Sequence, residues 1–152
     1  MYAIKEFNKD YNKKVNDFII SIYVDEFGFE QSRNVLNCYN NDIFNDSSGK
    51  LWMALNDKDE IVGTIAVFKH DSSNAELKKF YVRNDYRGSA VSKALYNTLL
   101  DFCVCNNFTK LSLWTYDNLL AAINFSTKQG FVEKPYNENN SSVKYFELDL
   151  SG

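Results

Sequence analysis

One stretch limits what this chain can fold into: ELKKFYVRNDYRGSAVSKALYNTLLDF, running from Glu76 to Phe102. It opens on a β-type apolar run (Leu77, Phe80, Tyr81, Val82) and crosses a polar turn at Arg83, Asn84 and Asp85. It then passes through Arg87-Gly88-Ser89-Ala90 into an amphipathic helix. The helix follows from Val91, Ala94, Leu95, Thr98, Leu99 and Phe102, which recur at offsets of three and four and share one stripe. Leu111, Leu113 and Trp114 supply the next strand. A strand–helix–strand unit cannot close as a hairpin and requires a parallel neighbour joined by a right-handed crossover. The class is therefore α/β (α+β) with a mixed sheet.

Gly88, Ser89 and Ala90 stand where the first helical amides lack intrahelical partners and carry the positive end of the dipole. Small side chains let a phosphate approach that backbone, and Arg87 adds a charged fork beside it. The competing reading is that any strand-to-helix turn favours small residues.

The remainder fits one domain over 1–152, large enough to bury a core, with 45% apolar and 16% aromatic residues. Tyr2 to Phe7 alternates as an opening strand, and Val15, Phe18, Ile19, Ile22, Tyr23 and Phe27 keep helical spacing from about Lys9 to a stop at Gly28. A second helix is expected from about Gln31 to Phe44. Leu51–Leu55 and Ile61–Phe68 flank the turn Asn56-Asp57-Lys58-Asp59 as a hairpin. A helix from about Asp117 to Gln129 stops at Gly130-Phe131. Phe131–Lys134 and Val143–Leu150 then form a closing hairpin.

Charge and segment content exclude several function classes. The net charge of −3, from 17 basic and 20 acidic residues, and the lack of any Lys/Arg run argue against nucleic acid as a partner. No apolar run approaches the roughly 20 residues of a membrane span, and MYAIKEFNKD has no signal-peptide core, so no membrane role and a cytoplasmic location are expected. Cys38, Cys103 and Cys105 lack scaffold spacing, which fits a reducing compartment. Cys103 and Cys105, two apart on a helix, point to different faces, so no metal is expected. His70 is the only histidine and reads as a solvent-exposed turn residue.

The segments from Glu76 to Phe102 and from Leu111 to Lys134 together resemble the GNAT superfamily of N-acetyltransferases. In that family the phosphate loop is Gln/Arg-x-x-Gly-x-Gly/Ala and a later helix reads Ala-x-x-Phe-Tyr-x-x-x-Gly-Phe. Arg87, Ala90 and Ser92 fall on the loop motif; Ala122, Phe125, Gly130 and Phe131 fall on the helix motif, with Ser126 where Tyr is usual. Gly63-Thr64-Ile65-Ala66 resembles the family's third strand, and Asp25-Glu26-Phe27-Gly28-Phe29 the end of its first helix in some members. The resemblance covers most of the chain and implies the order β-α-α-β-β-β-α-β-α-β-β.

What the resemblance implies is acetyl transfer from acetyl-CoA, a co-substrate, to an amine acceptor. Backbone groups of Phe80 and Val82, with Tyr81 between them, would pair with the pantetheine arm as an added strand. Arg87, Gly88, Ser89, Ala90, Val91 and Ser92 would hold the pyrophosphate, and Ser126 would border the thioester. Ala90 places a methyl where the family has Gly, and Ser126 lacks the phenol that protonates the departing thiolate in many relatives; Tyr116 and Tyr136 are candidate substitutes. Glu76 sits where some members carry a glutamate acting as base through water, against the reading of an exposed edge carboxylate. Asp25, Glu26 and Glu30 would attract a cationic amine, or be merely solvated. Three functions stay open: an N-acetyltransferase, a catalytically weak or inactive acyl-CoA-binding module, and a non-enzymatic interaction domain. A homodimer is one arrangement open to the chain.

Overall fold

The computed structural model describes residues 2–26, 49–87, 90–116, 119–135 and 143–151. The expected second helix, the Asp25, Glu26 and Glu30 side chains, Gly88, Ser89 and Tyr136 lie outside the described residues. Seven strands form one sheet: β1 (Tyr2–Glu6), β2 (Gly49–Asn56), β3 (Ile61–Lys69), β4 (Asn74–Val82), β5 (Lys110–Tyr116), β6 (Val132–Lys134) and β7 (Val143–Asp149), in the order β1-β2-β3-β4-β5-β7-β6. β1 to β4 form an antiparallel meander, β5 runs parallel to β4 as the crossover demands, and β7 enters between β5 and β6.

Helices cover both faces. The first helical segment is not uniform as expected: a 3₁₀ turn at Lys9–Tyr11 leads into α1 (Asn12–Ile20), and a π-helical turn follows at Ser21–Glu26. Asn8 caps the entry, its side-chain oxygen accepting from the Asp10 amide at 2.9 Å. Val15, Phe18 and Ile19 of α1 pack with Leu51, Met53 and Ala66 on one side of the sheet. On the other side, α2 (Ala90–Cys105) lays Val91, Leu95 and Leu99 against Ile65, Val67, Leu77 and Val82. Burying each such side chain stabilises by roughly 1.5–3 kcal/mol, so the apolar stripes hold both helices down.

The last helix, α3 (Leu120–Lys128), ends as expected at Gly130, whose φ of +97° suits glycine; the Gly130 amide donates to Thr127 O and the Phe131 amide to Ser126 O, both at 3.0 Å. Phe131 then enters the core beside α2.

The α2 stripe is wider than its spacing suggests, because Tyr96 and Cys103 are buried with it. Tyr96 stacks edge-on to Phe125 with ring centroids 5.3 Å apart. Burial, with Cys103 nearby, pushes its phenol up to about 12, and among the described residues its hydroxyl is the buried side-chain atom with no hydrogen-bond partner. A buried unsatisfied hydroxyl costs about 1–3 kcal/mol. Tyr96→Phe keeps the ring and is expected to raise stability by about 1 kcal/mol, read as a higher midpoint in urea; an unchanged or lower midpoint would mean the hydroxyl is satisfied.

Candidate active site

The site begins where two strands stop pairing. β4 and β5 are joined only at Asn74↔Lys110, Ala75↔Leu111 and Glu76↔Ser112. Beyond Glu76 no described strand pairs with that side of β4, while β5 stays paired with β7 up to Tyr116. The gap therefore lies between Leu77–Val82 and Leu113–Tyr116.

A β-bulge in β4 shapes that gap. Between the pairs Thr64↔Tyr81 and Ala66↔Lys78, β4 carries one residue more than β3; Lys79 there has φ +51°, and its carbonyl accepts from Thr64 Oγ1 at 2.7 Å. The extra residue resets the side-chain alternation. Ala75 and Leu77 before the bulge and Phe80 and Val82 after it all pack on the α2 side, and Tyr81 packs on the α1 side. Glu76, between Ala75 and Leu77 and opposite Phe68, falls on the α1 side too.

The Arg83 amide donates to Val62 O at 2.8 Å, so alternation turns the backbone groups of Val82 and Phe80 away from β3 and toward the gap. That is the edge an extended pantetheine arm requires. Arg87 folds back over it, Nε donating to Val82 O at 3.0 Å and Nη1 to Asn84 Oδ1 at 3.3 Å. α2 starts at Ala90, so its positive end lies beside Arg87; Ala90 is exposed, Val91 buried and Ser92 half-buried. Ala90 is helical, a conformation that accommodates its methyl. If Arg87 holds the pyrophosphate as the resemblance implies, Arg87→Ala removes one charged donor and is expected to weaken coenzyme A binding about tenfold by calorimetry; unchanged affinity would remove Arg87 from the site.

Glu76 is not the exposed edge carboxylate of the alternative reading: it is 8% exposed, at the last paired step before the strands part. His70 is likewise not a bare turn residue. Its Nε2 lies 2.8 Å from Glu76 Oε1, and Lys78 Nζ lies 3.3 Å from Oε2. The β3–β4 hairpin brings the pair together by placing Phe68 opposite Glu76, with His70 two residues on and its ring edge-on to Phe68. Lys79, also missed in the sequence, has its ammonium lowered to about 8 by burial and then by the Lys78 charge.

Ser126 is 2% exposed, and its hydroxyl donates to Ala122 O at 2.8 Å, one helical turn back. Phe125 beside it packs edge-on to Phe80, joining α3 to β4. Across the sheet the Tyr23 and Tyr81 hydroxyls share a hydrogen bond. Burial raises both phenols, Tyr81 well above the ordinary range, and the hydroxyl of Tyr116 adds to each shift. Both are accordingly poor proton donors at neutral pH. Trp114 and Tyr116 stay about half exposed on that face of β5, with Tyr145 of β7 edge-on to Trp114. Among the described residues, no three His, Cys, Asp or Glu side chains lie close enough to hold a metal ion.

Comparison with known proteins places this geometry. A GNAT-family acetyltransferase from Staphylococcus aureus Mu50 is similar at a TM-score of 0.87 and 28% identity, over 99% of both chains. Two structures share the fold at lower identity. One is an acetyltransferase from Streptococcus agalactiae 2603, with TM-score 0.78 and 22% identity over 98% of each chain. The other is the PaiA N-acetyltransferase of Thermoplasma acidophilum in complex with coenzyme A, with TM-score 0.73 and 13% identity over 98% of this chain and 99% of that one. An uncharacterized N-acetyltransferase of Dictyostelium discoideum is 30% identical over 78 residues, 49% of this chain; the matched stretch spans only 36% of that protein. Residues 14–131 match the acetyltransferase (GNAT) family, a span that contains the bulged strand, the gap and both flanking helices. The chain belongs to the GNAT family of acetyltransferases.

Proposed function

We propose that the chain transfers the acetyl group of acetyl-CoA to a primary amine of a small molecule or protein, by direct attack within a ternary complex. The parting of β4 from β5 beyond Glu76 carries this reading, because it leaves a strand edge for the pantetheine arm beside a buried carboxylate. A structural relative that holds coenzyme A supports the choice of co-substrate.

In this mechanism Arg87 and the start of α2 hold the pyrophosphate, and the Phe80 and Val82 backbone positions the arm. Most of the rate comes from that alignment. Glu76 takes a proton from the acceptor ammonium through a water, and the freed nitrogen attacks the thioester carbon. As the tetrahedral adduct collapses, the C–S bond breaks and the nitrogen's surplus proton passes through water to the sulfur. A thiol with pKa near 8.5 leaves readily as its conjugate base, so a dedicated acid adds only about 2 kcal/mol. Ser126 need not supply that proton, and its hydrogen is directed to Ala122 O.

That same hydrogen bond favours the second reading, a weak or inactive acyl-CoA-binding module. Incubation with acetyl-CoA and spermidine, tyramine or a lysine-containing peptide, read as free thiol, separates the two. Turnover with any of them supports the transferase; coenzyme A binding without turnover supports the module, and no binding at all defeats both.

A further inference from the structure

We infer that His70 is the exit for the proton that Glu76 removes from the acceptor. The inference rests on the reading of Glu76 as the base. At neutral pH the acceptor enters as an ammonium and leaves as an amide while the thiolate keeps one proton, so each turnover releases one proton to solvent. A base that is 8% exposed must pass that proton on before it can act again.

The β3–β4 hairpin supplies the path. His70 Nε2 lies 2.8 Å from Glu76 Oε1, while the His70 side chain is 49% exposed, so one ring spans buried carboxyl and water. The step balances: the proton on Glu76 Oε1 crosses to Nε2 of a neutral ring carrying its hydrogen on Nδ1, and the Nδ1 hydrogen leaves to solvent. Glu76 is again a carboxylate and His70 is neutral with its hydrogen on Nε2, facing that carboxylate; exchange of the ring hydrogens through water returns the hydrogen to Nδ1 before the next turnover. His70 touches no reacting atom and acts through Glu76 as a positioning and relay residue.

The charged groups around the pair leave the path open. Lys78 Nζ stands 3.3 Å from Oε2, which leaves Oε1 to His70, and Asp71 lies in the adjoining turn. From β3 the uncharged Phe68 ring meets His70 edge-on. From β5, Ser112 stands opposite Glu76 and donates to Ala75 O at 3.4 Å; beyond it Lys110 and Glu147 neutralise each other at 3.3 Å, with the Tyr145 hydroxyl on Glu147. Lys79 on β4 also titrates, near 8, so the relay is read from the difference between variants across one pH series.

The test is His70→Gln, which keeps a side-chain amide beside Glu76 but cannot carry a proton. It is assayed with whichever of spermidine, tyramine or the lysine peptide turns over. At low buffer concentration kcat is expected to fall roughly tenfold, below the hundredfold that a group at the reacting atoms supplies, with the KM for acetyl-CoA unchanged. Raising a tertiary-amine buffer, which accepts protons but cannot be acetylated, should restore kcat in the variant and leave wild type unmoved. A purely structural role would not produce that buffer dependence. Wild-type kcat, pH profile and buffer response in His70→Gln overturn the relay. Glu76→Gln beside it separates the two readings: if Glu76→Gln keeps full kcat, the base assignment falls and takes the relay with it, whereas if only His70→Gln is silent the relay alone falls. Absence of turnover with all three amines defeats both.

Discussion

Glu76→Gln is expected to lower kcat at least about a hundredfold near neutral pH while leaving coenzyme A affinity and thermal stability near wild type. The substitution keeps the shape of the side chain and one acceptor oxygen, so contacts with His70 and Lys78 survive in part. What it removes is the carboxylate proposed to take the acceptor's proton, and a positioned proton-transfer group is worth about 10²-fold or more. A hundredfold loss corresponds to about 2.7 kcal/mol of barrier. The residual rate should climb with pH, because a primary amine with pKa near 10.4 increasingly arrives already deprotonated. Thiol release across a pH series, with calorimetric titration of coenzyme A on the same preparations, provides the check. A kcat within about threefold of wild type at neutral pH would mean that bulk solvent is the base and that Glu76 is structural.

Gly63→Val should damage the protein more broadly. A Cβ at Gly63 would lie 2.8 Å from Leu95 Cδ1 and 3.3 Å from both Val91 Cγ1 and the Tyr81 carbonyl. Leu95 and Val91 are core residues of α2, with no exposed space to retreat into. Valine adds two further methyls, so α2 must lift from β3 or the strand must shift. Overpacking of this kind costs about 1–3 kcal/mol. For a chain of this size each kcal/mol lowers the melting temperature by about 2–4 °C, giving a fall of roughly 10 °C at the upper end. Because Val91 belongs to the first turn of α2, coenzyme A affinity should fall in the surviving folded fraction as well. Melting followed by circular dichroism, then calorimetry well below the midpoint, separates the effects. Unchanged melting and affinity would show that the helix start tolerates displacement.

The two substitutions act on features of different legibility. Gly63 is recognisable in Gly63-Thr64-Ile65-Ala66 as a small residue in a strand, but its reason is a helix that packs on it from Ala90 onward in the chain. Glu76 is recognisable as a carboxylate on a strand; its burial and its histidine are not. His70 lies in a polar turn and looks solvated until the hairpin register sets Phe68 opposite Glu76 and swings the ring onto the carboxylate. Alternation along β4 also misleads, since the extra residue at Lys79 moves every later side chain to the other face, and a bulge exists only relative to a partner strand.

By itself the sequence determined those properties that follow from local periodicity and chain connectivity. The stripe from Val91 to Phe102 makes a helix, Gly130 ends the next one, and strand–helix–strand connectivity forces β4 and β5 to run parallel. Local sterics and chain handedness decide such features within a few residues of each other. Tertiary structure alone decided where β4 and β5 stop pairing, that β7 enters between β5 and β6, and that Glu76 sits buried at the fork with His70 against it. Those outcomes depend on which residues meet across strands distant in the chain, and a hydrogen-bonded register is a property of two segments that neither one carries alone.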